Sequence, residues 1–255
     1  MKCVFSPCSF NWCCDLFTMA ALFACEEPAT WRSVYERYWD VVETKAKGKK
    51  PGKLLELEKW FQEELPTVIS SRPDKHITLS ELVKLMEWKL TRGKFRPRLQ
   101  QLVASNGEDV VKKSSKEAFG LLPDVQAAIT RLSSLKGVGP ATASAVLAAG
   151  APDLTAFMSD EAVESLPGLK PIQYTAKHYA LYLDKMVALA AKLNKVDPQR
   201  DWTPHRLELC LWAMTTAARL QLQLLTDVDV KGSGTQEKTP DPDRDQRPAK
   251  KLKIL

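Results

Sequence analysis

Histidine is scarce in this chain: His76, His178 and His205 are the only three, and they lie far apart. None of them pairs with another at the spacing of a zinc site. The cysteines do not fill the gap. Five of the six (Cys3, Cys8, Cys13, Cys14 and Cys25) fall in the first 25 residues, in a spacing that fits no common zinc pattern, and only Cys210 lies farther on. No metal and no cofactor is expected. The sequence has no apolar run of membrane-spanning length, so no membrane partner is expected. Ser, Asn, Cys and Asp interrupt the N-terminal apolar stretch, which makes it a poor signal peptide. Met19 opens MAALFACEEPATW, and residues 1–18 read as a dispensable extension from an upstream start. Cys25 and Cys210 then read as reduced thiols. Sustained alternation of apolar and polar residues is missing too, which excludes a β architecture.

What remains is helical periodicity. Trp31, Val34, Tyr35, Tyr38 and Val42 form one stripe, predicting a helix from about Ala29 to Lys45. Leu54, Leu57, Trp60, Phe61 and Leu65 mark a second. Thr78 and Glu81 stand at the reciprocal positions of a capping box, ahead of Leu82, Leu85, Met86, Trp88 and Leu90. Two long helices close the ordered body, at about Gln173–Asn194 and Pro204–Leu224. At 44% hydrophobic residues the chain can bury a sizeable core, here assigned to residues 19–225 as one all-α domain. Trp88, Trp202 and Trp212 belong to that core by their spacing. Residues 226–255 are poor in apolar side chains and are expected to be a disordered tail. Its end, Arg247 to Lys253 with Lys250 and Lys251, resembles a nuclear localisation signal, so a nuclear protein is expected.

The densest information lies in RLSSLKGVGPATASAVL, Arg131 to Leu147, with Asp160 standing 21 residues after Gly139. Gly137, Val138 and Gly139 join two helices within about 125–150, and two glycines let the backbone turn tightly and approach a ligand closely. Pro140 suits the first helical position, leaving the amides of Ala141 and Thr142 as donors at a positive helix end. Such a place favours an anion, and between two helices the usual anion is a nucleic-acid phosphate. A plain helix–helix turn is the competing interpretation. The net charge of +6 is compatible with a polyanionic partner. Lys89, Arg92, Lys94, Arg96 and Arg98 add five cations with no acid between Trp88 and Arg98, a density suited to phosphate neutralisation. Phe95 sits among them.

This segment looks like a helix-hairpin-helix, and its arrangement resembles that of the base-excision DNA glycosylases. In that family a hairpin of this kind is followed by a Gly/Pro loop and an aspartate, as Gly150, Pro152 and Asp160 follow here. EWKLTRGKFRP and FMSDEA, at Glu87–Pro97 and Phe157–Ala162, are also similar to an uncharacterised eukaryotic branch of glycosylase-like proteins. The resemblance implies a monomeric nuclear DNA-binding protein contacting the backbone. It also implies a monofunctional glycosylase in DNA repair, with Asp160 stabilising the cationic sugar as the base leaves. Ala141 stands where bifunctional members carry a lysine, so strand cleavage through a Schiff base is not implied. A non-catalytic DNA-binding or genome-maintenance adaptor and a helical protein-interaction module stay open beside it.

Overall fold

The computed structural model describes residues 21–48, 52–221 and 225. The extension at 1–18 and the basic tail at 226–255 lie outside them. Among the described residues the chain is all-α, with no strand.

The first predicted helix is two. Helix α1 (Pro28–Glu36) and α2 (Tyr38–Ala46) are separated by Arg37, whose φ of −91° and ψ of 3° break the helical repeat. Helix α3 (Lys53–Lys59) runs through a π-helical turn, Trp60–Glu64, into α4 (Leu65–Ser71). The widened turn lets Trp60 and Phe61 both be buried. Helix α5 (Leu79–Arg92) starts on the expected capping box: Thr78 Oγ1 accepts from the Glu81 amide at 3.2 Å, and Glu81 Oε2 accepts from the Thr78 amide at 2.8 Å. Residues 93–96 then turn the chain into α6 (Pro97–Ala104), with Pro97 at its first position, and α7 (Glu108–Gly120) follows. Sequence periodicity had marked neither of these two helices.

Helix α8 (Val125–Leu132) and α9 (Pro140–Gly150) flank the glycine turn. Every residue of α9 from Ala141 to Gly150 is buried. A helix that is apolar and small all round belongs inside, surrounded by other helices, and α9 contacts α4, α5, α8 and α11 (Ala176–Val196). At the end of α9, a Cβ on Gly150 would come within 2.4 Å of the Phe119 ring, so a larger residue there would displace that ring. The short α10 (Asp160–Ser165) rests on α12 (Pro204–Arg219), which also packs on α1, α2 and α11. Trp88, Trp202 and Trp212 are buried as expected, and Phe61 stacks on Trp88 with ring centroids 3.6 Å apart. Removing such a ring typically costs about 3–5 kcal/mol.

Candidate nucleic-acid interface

Two parts of the chain far apart in sequence form the walls of one narrow cleft. One wall is the end of α5 and the connector to α6, with Lys89, Gly93, Lys94 and Arg96. The other is the segment Phe157–Glu161, with Tyr174 at the rim and Ala141 from the start of α9. The first turn of α9 and the basic connector therefore meet at this cleft through Ala141, while Gly137–Gly139 themselves do not line it.

Asp160 lines this cleft with its side chain 15% exposed. It is the first residue of α10 rather than its cap. Ser159 caps, its Oγ accepting from the Ala162 amide at 3.3 Å while donating to Glu208 at 2.5 Å. Asp160 is held from both sides. Lys94 Nζ lies 2.8 Å from one oxygen, and the Tyr174 hydroxyl donates to the other at 2.7 Å. Arg96 in turn donates to the Tyr174 hydroxyl at 3.4 Å, with its guanidinium 5.1 Å over the ring. Burial alone would raise the Asp160 carboxyl. The hydrogen bonds from Lys94 and Tyr174 and the charges of Lys94 and Arg96 outweigh it, holding the carboxyl below the usual range. Lys94 is raised by the same pairing, and Tyr174 is raised by burial and by its bond to Asp160. Lys89 is lowered, first by burial and then by Arg96. The site is thus a rim of three cations and an aromatic ring around one carboxylate. Glu161 does not join Asp160 as a pair; it accepts from Arg219 at 2.8 Å.

The other singled-out residues separate clearly. Arg96 and Arg98 are exposed, Lys94 is 60% exposed, and Lys89 is half-buried. Arg92 is not available to a phosphate: it is 1% exposed and donates to Glu208 at 2.8 and 3.3 Å. Its guanidinium lies 4.2 Å over the Trp212 ring, and its Nε is 3.5 Å from Glu58. The pattern of five cations carried no sign that the last residue of α5 faces inward, although helical phase with Trp88 points that way. Lys112 and Lys116 pair with Glu108 and Asp74.

The glycine pair is asymmetric. Gly137 has φ +75°, and a Cβ there would stand 2.9 Å from Leu102 Cβ and 3.0 Å from the Val103 amide. Its glycine is required by the approach of α6. Gly139 has an ordinary φ of −104°, is exposed, and has open space where a Cβ would go. Val138, Ala141 and Thr142 are buried, and the Thr142 amide already donates to the Gly139 carbonyl at 2.9 Å. Of the expected backbone contacts only the outer edge of the turn is open to a ligand. Asn106 fixes that edge, bridging the Lys136 amide and carbonyl at 2.9 Å each.

Tyr174 went unmarked in the sequence. An aromatic in a polar loop just ahead of a Thr175-capped helix was the available signal. A second, wider groove is lined by Tyr35, Trp39 and the acids Glu36, Glu63 and Asp201, the last of them paired with Arg206. Its charge suits a polyanion poorly. Among the described residues no group of three His, Cys, Asp or Glu side chains is arranged to hold a metal ion. No helix there is long and apolar enough to cross a membrane.

Residues 129–179 match the Transposase IS116/IS110/IS902 family. That stretch contains the end of α8, the glycine turn, α9, α10 and Tyr174, and so supplies one of the two walls of the cleft. No curated protein and no solved structure matches the chain significantly. The match corrects the glycosylase assignment. The glycine turn, Gly150, Pro152 and Asp160, which suggested a base-excision glycosylase and with it a helix-hairpin-helix repair enzyme or repair adaptor, lie within the stretch that matches a transposase family instead. The physical reason is that a glycine turn, a proline-led small-residue helix and a downstream aspartate describe a packing arrangement. Here the packing explains Gly137 and Gly150 without reference to any reaction.

Proposed function

We propose that this chain binds DNA through the sugar–phosphate backbone, using the connector between α5 and α6 together with the outer edge of the glycine turn. One observation carries the proposal. The segment that resembles a transposase family and the densest group of exposed cations, which are distant in sequence, meet at a single cleft. A transposase moves DNA, so the match favours a DNA partner. Arg96, Arg98 and Lys94 supply the phosphate contacts, with Lys89 deeper. Such contacts position a protein on DNA while carrying little sequence information. Asp160 tethers Lys94 and Tyr174 and so orders the rim in the absence of ligand. A DNA transaction of the rearranging kind is the reading the match favours, with the protein acting as a monomer and entering the nucleus through Arg247–Lys253.

The test is fluorescence anisotropy with mixed-sequence duplex DNA over a range of salt. Log K should fall linearly with log salt, and Arg96→Ala and Arg98→Ala should each lower the slope by about 0.9. Absence of binding at low salt, or slopes unchanged in both variants, contradicts the proposal. Nuclear import is tested separately by alanine replacement of Lys250, Lys251 and Lys253 in a fluorescent fusion.

A further inference from the structure

Phe95 is the most exposed large hydrophobic residue described, at 76%. It lies between Lys94 and Arg96 in the connector, and those two neighbours turn toward the cleft, onto Asp160 and Tyr174. Phe95 is left facing outward. Among the described residues it has no ring contact, and no side chain covers it. A bare phenyl ring in water is unfavourable, by about 25 cal/mol for each Å² of apolar surface left uncovered. The sequence alone was compatible with an inward-packed ring, and the structure shows the opposite.

The surroundings say what kind of molecule would cover it. Lys94, Arg96 and Arg98 flank the ring, and Tyr174, 37% exposed under the Arg96 guanidinium, offers a second aromatic surface. An apolar peptide would leave these cations unanswered, and duplex DNA would answer them while keeping its bases stacked away from the ring. A single strand does both: its phosphates meet the cations and its bases have free π faces. We propose that Phe95 is a stacking platform for an unpaired base, so that the preferred ligand of this face is single-stranded or locally opened DNA. The inference rests on the DNA-binding reading and specifies the substrate class within it.

The experiment compares the full chain with Phe95→Ala and Phe95→Trp on a mixed-sequence single strand and on the corresponding duplex, at one salt concentration. The wild type is expected to bind the single strand more tightly. Phe95→Ala should lose about 5- to 150-fold on the single strand, the range for loss of one stacked base, with little change on duplex. Phe95→Trp should retain binding. The salt slope of Phe95→Ala should equal that of wild type, since no cation is removed. Because Phe95 makes no core contact, thermal melting should also be unchanged, which separates this effect from misfolding. Equal loss on both ligands, or no loss on the single strand, overturns the stacking role while leaving backbone binding intact. So does a change in sedimentation showing that Phe95→Ala instead disperses an oligomer. Failure of wild type to bind either DNA overturns the underlying reading as well.

Discussion

Replacing Gly137 and Gly139 separately with alanine should give opposite results, although the two glycines look equivalent in sequence. Alanine at 137 would have to adopt φ +75°, at a cost of about 1–2 kcal/mol for an L-residue in the left-handed region. Its Cβ would also meet Leu102 Cβ at 2.9 Å, Val103 N at 3.0 Å and Val103 Cγ2 at 3.1 Å. A backbone amide cannot swing aside, so α6 must shift, and overpacking of this kind costs about 1–3 kcal/mol. Together the destabilisation is about 2–5 kcal/mol. In a body of this size each kcal/mol lowers Tm by about 2–4 °C, so Gly137→Ala should melt roughly 4–20 °C below wild type. Alanine at 139 keeps a negative φ and meets nothing within 4 Å. Its effect should lie within about 0.5 kcal/mol, with a small gain from the restricted unfolded chain equally compatible. The assay is thermal unfolding followed by circular dichroism at 222 nm. A Gly137→Ala variant that melts like wild type, or a Gly139→Ala variant that falls as far as Gly137→Ala, refutes the assignment of Gly137 to packing and Gly139 to an open edge.

Asp160→Asn removes the negative charge inside the cleft and weakens the hold on Lys94, so DNA affinity at low salt should rise a few-fold, consistent with about 0.3–1 kcal/mol per partly exposed charge; an unchanged or lower affinity would contradict the electrostatic account. Arg92→Met should destabilise by about 3–5 kcal/mol in a urea titration, because Glu58 and Glu208 would be left buried without their cation. Glu208→Gln should be milder, since Arg92 keeps Glu58, and equal losses would argue against the triad. His205 is held down to about 3 by burial and then by Arg92, against 6.5 when unfolded. Between those values the unfolded chain binds a proton that the native chain does not, so stability should fall as pH drops from about 6.5 toward 3. His205→Gln should flatten the upper half of that decline, above the range where carboxylates such as Asp160 and Glu81 titrate. An identical pH profile in the variant would show that another group is responsible.

The legible part of the fold was the part with strong local signals. Thr78 and Glu81 announced α5 because a capping box is complete within four residues. Trp88 and Trp212 fell in the core because each sits in a helical stripe, whereas Trp202 lies in the loop ahead of α12 and is buried against Trp31. Helices α6 and α7 were not legible: α6 buries only Val103, and α7 is rich in Lys, Glu and Ser, so neither shows a wide apolar face. The break at Arg37 was hidden because the stripe from Trp31 to Val42 continues across it. At the site, exposure could be guessed for Arg96 and Arg98 but not for Arg92, whose fate is decided by Glu208 on a helix more than a hundred residues away. Tyr174 is likewise tied to the cleft through Arg96 and Asp160, which its own sequence neighbourhood does not reveal. The glycines misled most. Both signalled a turn, but the reason for Gly137 is its neighbour α6, which the motif does not contain, and the motif alone pointed to the wrong family.

Hydrogen exchange of the full chain with and without a saturating single-stranded oligonucleotide tests the location of the interface most directly. The account predicts slowed exchange in the connector at residues 93–98, at the outer edge of the turn near Lys136–Gly139, and around Tyr174. Exchange around Tyr35–Trp39 and Asp201–Arg206, at the acidic groove, should be unchanged. Protection confined to that groove, or spread evenly over the surface with none at 93–98, would contradict it.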